Sequence, residues 1–214
     1  MNNRVRVMIA DDHFLVAELC KRLLETEFDV VGVVGDGRAL VSAARDLKPE
    51  VIVLDVAMPI LNGLDAARQL KEVLPLVKLI YLTMNPDVDI AVEAFRIGAR
   101  GYVLKTCAAA ELVLAVREVL RGKSYIASAL PRDTIAFLRT QDKKLVHEEA
   151  RLTPRQREVL QLLAEGRVMK EVSSILQMSS RTVAYHKYRM MEVLGAKSNA
   201  ELVKYAVRNH LVAA

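Results

Sequence analysis

The sequence predicts a doubly wound α/β unit with a five-stranded parallel sheet, followed by a small all-α unit. Three observations carry this. Short apolar runs alternate five times with helical patterns over residues 1–122. Those runs are apolar without alternation, as strands covered on both faces are. From residue 152 onward the pattern is helical.

The elements follow in order. Residues 6–10 form a short apolar run that ends at Asp11 and Asp12. Residues 14–24 read as a helix, with Leu15, Leu19 and Leu23 stacked at four-residue spacing. Residues 30–34 are the second strand and 38–47 the second helix. Residues 51–54 are a strand ending at Asp55, and 63–74 a helix. Residues 79–82 are a strand ending at Thr83, and 88–97 a helix stopped by Gly98. Residues 101–104 are a strand ending at Lys105, and 108–121 the closing helix. Repeated β-α order implies a parallel sheet with right-handed crossovers. In such sheets sites form beyond the carboxyl ends of the strands, at the switch point of strand order. Those ends carry Asp11, Asp12, Asp55, Thr83 and Lys105.

Residues 123–150 read as a connector, with Pro131 opening a short helix to 139. Thr153, Pro154 and Gln156 then make a helix start with a capping box, and Gly166 ends that helix. A short helix over 169–176 follows. Ser179 or Ser180 caps the next helix, to 194, and Ser198 caps the last, to about 209. Two short helices joined by a tight turn, the turn leading into a basic helix, make a helix-turn-helix candidate. The expected division is 1–122, 123–150 and 151–214.

Composition narrows the function. The chain has 214 residues, 52% hydrophobic and 27% charged, as a globular protein with a core does. No apolar run approaches the roughly 20 residues that span a bilayer, and the apolar stretch before Asp11 is too short for a signal peptide. No membrane role is expected. Cys20 and Cys107 offer neither a disulfide framework nor metal-ligand spacing, and read as buried thiols in a cytoplasmic protein. The net charge of +5 is uneven: residues 1–122 carry 15 Lys+Arg against 17 Asp+Glu, residues 151–214 carry 11 against 5. The basic back third points to nucleic acid.

Three carboxylates, a hydroxyl and an ammonium at strand ends suit one chemistry. Asp11, Asp12 and Asp55 are hard oxygen donors for Mg²⁺. A carboxylate is also the nucleophile of aspartyl-phosphate chemistry. Lys105 can pair with one phosphoryl oxygen and Thr83 can donate to another. The doublet Gly35-Asp-Gly37 is not a dinucleotide fingerprint, because its third position is Leu40 and it follows the second strand.

At these residues the chain resembles a known family. Val7-Met-Ile-Ala-Asp-Asp12, Leu54-Asp-Val-Ala-Met-Pro59, Leu61-Asn-Gly63, Leu82-Thr83 and Gly101-Tyr-Val-Leu-Lys105 look like the receiver domain of a bacterial two-component response regulator. The resemblance implies a flavodoxin-like fold and makes Asp55 the phosphoacceptor, with Thr83 and Lys105 assisting. It implies a Mg²⁺ site formed by Asp11, Asp12, Asp55 and the carbonyl of Ala57. It also makes Thr83 and Tyr102 a switch pair, the Tyr102 ring swinging inward. Two departures stand out. Met84 follows Thr83 where the family usually has a small residue, and Thr106 follows Lys105 where many receivers have proline.

A helical wheel of 180–194 places Val183, Met190 and Leu194 on one face as core. Arg181, Tyr185, Tyr188 and Glu192 lie opposite, flanked by Ala184 and Arg189. His186 and Lys187 sit at the flanks. Arginine bonds guanine edges or phosphate, and tyrosine bonds phosphate or packs on a thymine methyl. Leu152-Thr-Pro-Arg-Gln-Arg-Glu-Val-Leu160, Leu163-Ala-Glu-Gly166, Lys170-Glu-Val172, Arg181-Thr-Val183, His186 and Leu194-Gly195 are similar to the LuxR-type helix-turn-helix. A receiver joined to this domain is the layout of the NarL/FixJ subfamily. Family members often carry lysine after Thr-Val, whereas this chain has Ala184.

The resemblance implies a transcription regulator rather than an enzyme. A sensor histidine kinase would phosphorylate Asp55. That would loosen an inhibitory interdomain contact, free Tyr185 and its neighbours, and favour a homodimer on promoter half-sites of double-stranded DNA. Its DNA contacts would come from Arg181, Thr182, Ala184, Tyr185, His186, Lys187, Tyr188 and Arg189. Leu202, Ala206 and Asn209 on the last helix would pair between subunits or pack in the core. The alternative is an atypical transcription factor independent of phosphorylation, for which Met84 is the support. A phosphohydrolase would need a second general acid near Asp55, a role Ala57 cannot fill. A small-molecule sensor of the LuxR type would lack the acidic site.

Overall fold

The structure, a computed structural model, describes residues 4–84, 86–128 and 152–212. The expected short helix from Pro131 lies outside the described residues. The chain begins β1 (Arg6–Ala10), α1 (Phe14–Glu25), β2 (Asp29–Val34), α2 (Gly37–Leu47), β3 (Val51–Leu54) and α3 (Gly63–Val73). It continues β4 (Lys78–Thr83), α4 (Val88–Ile97), β5 (Ala99–Leu104), a 3-10 turn (Lys105–Cys107), α5 (Ala108–Leu120) and β6 (Tyr125–Ile126). Four further helices follow: α6 (Pro154–Ala164), α7 (Met169–Leu176), α8 (Ser180–Leu194) and α9 (Asn199–Arg208).

The sheet has the order β2-β1-β3-β4-β5-β6 and every pairing is parallel. It has six strands where the sequence predicts five. The sixth comes from the stretch read as connector. It pairs Tyr125 with Gly101 and Ile126 with Tyr102, and Ala127 N–H donates to the Tyr102 carbonyl at 2.8 Å. Two residues are too few to show a period, so the sequence carries no signal for it.

Strand residues alternate between two apolar layers. Met8, Ile52, Leu54, Leu79, Tyr81 and Tyr102 face α2, α3 and α4. Val7, Ile9, Val51, Val53, Ile80, Leu82 and Val103 face α1 and α5. Burial on both sides explains the unbroken apolar runs. In α1 the buried face is Ala17, Cys20 and Leu24. Leu15 and Leu19 are instead 80% and 46% exposed, so the leucine stripe read from the spacing is not the core face. Cys107, expected to be buried, is half-exposed at the end of the 3-10 turn.

Two glycines are fixed by close approach. A Cβ at Gly63 would lie 1.9 Å from the Asp55 carbonyl oxygen, and one at Gly37 2.0 Å from that of Leu61. The chain therefore folds tightly back over β3, which holds the loop after Asp55 against the start of α2.

The helical unit has its own core of Leu152, Val159, Leu160, Leu162, Val172, Leu176, Val183, Met190, Leu202, Ala206 and Leu211. The Thr153 side chain accepts from Gln156 N–H and Gln156 answers to Thr153 N–H, completing the expected capping box. Ser179, rather than Ser180, caps α8, and Ser198 caps α9. Leu202 and Ala206 are buried here, which settles them as core of this unit. The helical unit touches the sheet unit through α6, where Arg157 Nε lies 2.8 Å from Asp65 Oδ1 and Arg38 Nη2 2.7 Å from Glu158 Oε2.

Candidate functional site: an acidic pocket and a basic helix

The strand order reverses between β1 and β3, and Asp11 and Asp55 stand at that switch point. Lys105 reaches across from the end of β5. Its Nζ is 2.7 Å from Asp55 Oδ2 and 2.9 Å from Asp11 Oδ1. All three side chains are buried. Thr83, at the end of β4, is also buried. Asp12 is exposed at the rim. Four of the five predicted strand-end residues thus come together in the interior, with the fifth at the mouth.

Electrostatics follow from this crowding. Burial pushes the Asp55 carboxyl above its ordinary range; Lys105 opposes the shift and Asp11 adds to it. Burial pulls the Lys105 ammonium down, but its bonds to Asp11 and Asp55 outweigh that and leave it raised. One ammonium serves two buried carboxylates. Asp11 Oδ2 lies 2.8 Å from Lys105 Nζ yet accepts no hydrogen bond. A buried carboxylate oxygen left in that state, with Asp12 beside it, is a donor set that fits a hard divalent cation. The carboxylates of Asp11, Asp12 and Asp55 and a nitrogen of His13 offer ligand atoms within 4.8 Å of one another. Sequence reasoning missed His13, whose Nδ1 is 3.0 Å from Asp12 Oδ1. Its position directly after the two acids was the available signal.

Tyr102 is fully buried, its ring centroid 6.5 Å from that of Tyr81. Burial, then the charges of Asp87 and Asp55, push its hydroxyl far up. The ring already occupies the interior that the switch reading has it enter. Met84 stands 64% exposed beside the pocket.

The second region is α8. The Ser179 cap and the left-handed Gln177 make the tight turn between α7 and α8. Val183 and Met190 are buried and Leu194 half-buried, as the wheel predicts. Arg181, Thr182, Tyr185, Tyr188 and Arg189 are exposed, while Ala184, His186 and Lys187 are half-buried. The Tyr185 and His186 rings meet edge-on at 5.7 Å, and Lys187 Nζ lies 5.8 Å from the Tyr188 ring centre. This face is open while α6 contacts the sheet unit. The expectation that an interdomain contact covers Tyr185 is therefore corrected: the contact exists, but on α6.

Among the described residues, no helix is long and apolar enough to cross a membrane. The family model "Response regulator receiver domain" matches residues 7–117, and that for "Bacterial regulatory proteins, luxR family" matches residues 150–206. The chain is 32% identical over 214 residues to the Uncharacterized transcriptional regulatory protein YxjL of Bacillus subtilis, covering 98% of each. Among solved structures, the Salmonella typhimurium RcsB response regulator is 30% identical with a TM-score of 0.61, over 96% of this chain and 97% of that one. A two-component response regulator RcsB–DNA complex matches at 30% identity and a TM-score of 0.57, over 95% of this chain and 98% of that one. With the acidic pocket at the switch point and the basic helix behind its tight turn, the chain belongs to the DNA-binding response regulators that join a receiver domain to a LuxR-type helix-turn-helix.

Proposed function

We propose that this response regulator is switched by phosphorylation of Asp55 and delivers the signal through α8. The observation that carries the reading is the buried Asp55 carboxylate held at 2.7 Å by Lys105 at the carboxyl end of β3. Asp55 attacks the phosphorus of a phosphohistidine on a sensor histidine kinase. The new O–P bond gives an acyl phosphate, and the P–N bond breaks with its electron pair returning to the imidazole. Lys105 then pairs with a phosphoryl oxygen and Thr83 donates to another. Asp11, Asp12, Asp55 and the Ala57 carbonyl would hold Mg²⁺, which neutralises charge that would otherwise repel the incoming phosphoryl group. Thr83 and Tyr102 act as the switch pair.

On the output side, Arg181, Thr182, Ala184, Tyr185, His186, Lys187, Tyr188 and Arg189 meet double-stranded DNA, with α8 in the major groove. Two copies on promoter half-sites double the contact, and phosphorylation favours that homodimer. The receiver unit includes β6 (Tyr125–Ile126) and so extends past residue 122, with the connector following to 150 and the DNA-binding unit over 151–214. The protein acts in the cytoplasm and regulates transcription rather than turning over a substrate. A second reading, control without phosphorylation, is favoured by one observation: the α8 face is exposed even while α6 is docked on the receiver unit. DNA binding of Asp55→Asn, with and without phosphodonor, separates the two. Loss of phosphodonor-stimulated binding supports the first reading, and binding unaffected by either supports the second.

A further inference from the structure

The contact between the two units is made on the loop that follows Asp55. Gln161 on α6 is 1% exposed. Its Nε2 donates to the Met58 carbonyl at 2.9 Å, and its Oε1 accepts from Asn62 N–H at 2.8 Å and from Asn62 Nδ2 at 3.1 Å. Glu165 Oε1 accepts from Ile60 N–H at 2.9 Å. Two side chains thus hold three backbone groups between Met58 and Asn62. Ile60 has φ of 68°, a left-handed conformation that a β-branched residue keeps only when its surroundings over-determine it. Its side chain packs against the core of the helical unit. The loop's shape is therefore maintained by α6.

We propose that Gln161 and Glu165 are positioning residues for the acidic pocket, and that α6 docked on the loop after Asp55 opposes cation binding and phosphoryl acceptance there. This rests on the reading of Asp55 as phosphoacceptor. A cation entering the pocket draws Asp11 and Asp55 away from Lys105, which bridges both. The Ala57 carbonyl stands one residue before the clamped stretch. Any adjustment of that carbonyl works against buried hydrogen bonds to α6, which are costly to leave unmade. Linkage makes the effect reciprocal: an occupied pocket weakens docking by the same factor. Control of this kind acts through the loop and does not need α8 to be covered.

The test uses the full chain and compares wild type with Gln161→Ala, Glu165→Ala and Ile60→Gly. The glycine variant keeps the positive φ without strain but removes the side chain that packs on the helical unit, so it weakens the docking from the sheet side without changing any residue of α6. Mn²⁺ affinity is read from the free-ion paramagnetic resonance signal without phosphodonor. Phosphoryl uptake from acetyl phosphate is read by intact mass. The proposal expects tighter Mn²⁺ binding and faster uptake in Gln161→Ala and Ile60→Gly, each by about threefold or more, with Glu165→Ala changing in the same direction. A merely loosened fold gives the opposite sign, weaker binding. Unchanged or weaker Mn²⁺ binding in both Gln161→Ala and Ile60→Gly overturns the clamp. Variants that differ in Mn²⁺ affinity while no form takes up phosphoryl keep the clamp and remove the phosphoacceptor reading. No Mn²⁺ binding by any form overturns both.

Discussion

Lys105 and Asp55 are paired at 2.7 Å with side chains only 3% and 4% exposed, and the same ammonium also serves Asp11. Removing one partner of a buried pair leaves a bare charge in a poor solvent, which costs more than the pair itself contributes. Lys105→Ala is expected to lower unfolding stability by about 3–5 kcal/mol without divalent cations. Urea unfolding in chelator, repeated in excess Mg²⁺, checks this. The loss should shrink with the cation present if the carboxylates are its ligands.

Asp55 titrates in the opposite sense to a stabilising carboxylate. Burial raises its pKa from the ordinary 3.8, so the folded state holds the proton to higher pH than the unfolded chain does. Stability from this group is therefore lost as pH rises from about 3.8 through the folded value. At neutral pH in chelator, Asp55→Asn is expected to be more stable than wild type, and the gap to close below pH 4. Unfolding midpoints at both pH values decide it. A variant less stable at neutral pH would show that the Lys105 contact outweighs desolvation.

On α8, side chains that read bases and those that hold phosphate separate by salt dependence. Arg181→Ala or Tyr185→Ala should weaken operator binding by about 1–3 kcal/mol if either meets a base edge. Lys187→Ala should reduce the slope of log affinity against log salt by roughly one phosphate. Titrations of labelled operator at several salt concentrations distinguish these outcomes.

The Thr153–Gln156 capping box starts α6, the helix that touches the receiver. Thr153→Ala leaves a helix amide without its acceptor and is expected to cost about 1 kcal/mol in the unfolding of the helical unit. Thermal unfolding followed by circular dichroism measures it. Thr153→Ser should recover most of the loss.

Much of this was legible in sequence because the local chemistry is one-dimensional. Apolar runs ending in Asp11, Asp55, Thr83 and Lys105 announce parallel strands and put their polar ends on one edge of the sheet. Caps at Thr153, Ser179 and Ser198 are short-range signals, and Val183 and Met190 follow from helical period. What was not legible depends on partners far along the chain. Gln161 and Glu158 look like solvated helix positions, yet each is buried by receiver residues more than 80 positions away. Leu15 and Leu19 share a stripe, but the sheet selects Ala17, Cys20 and Leu24 instead. β6 is too short to carry a pattern, and its pairing with β5 is supplied by the sheet edge.

Phosphorylation at Asp55 is expected to control DNA binding through α8. The most direct measurement follows intact mass and operator affinity together for wild type and Asp55→Asn, in Mg²⁺ with acetyl phosphate. One phosphoryl is expected on wild type and none on the variant, with tighter operator binding and dimer formation only where the phosphoryl is found. Full phosphoryl uptake by Asp55→Asn, or uptake by wild type with no change in affinity or oligomeric state, would contradict it.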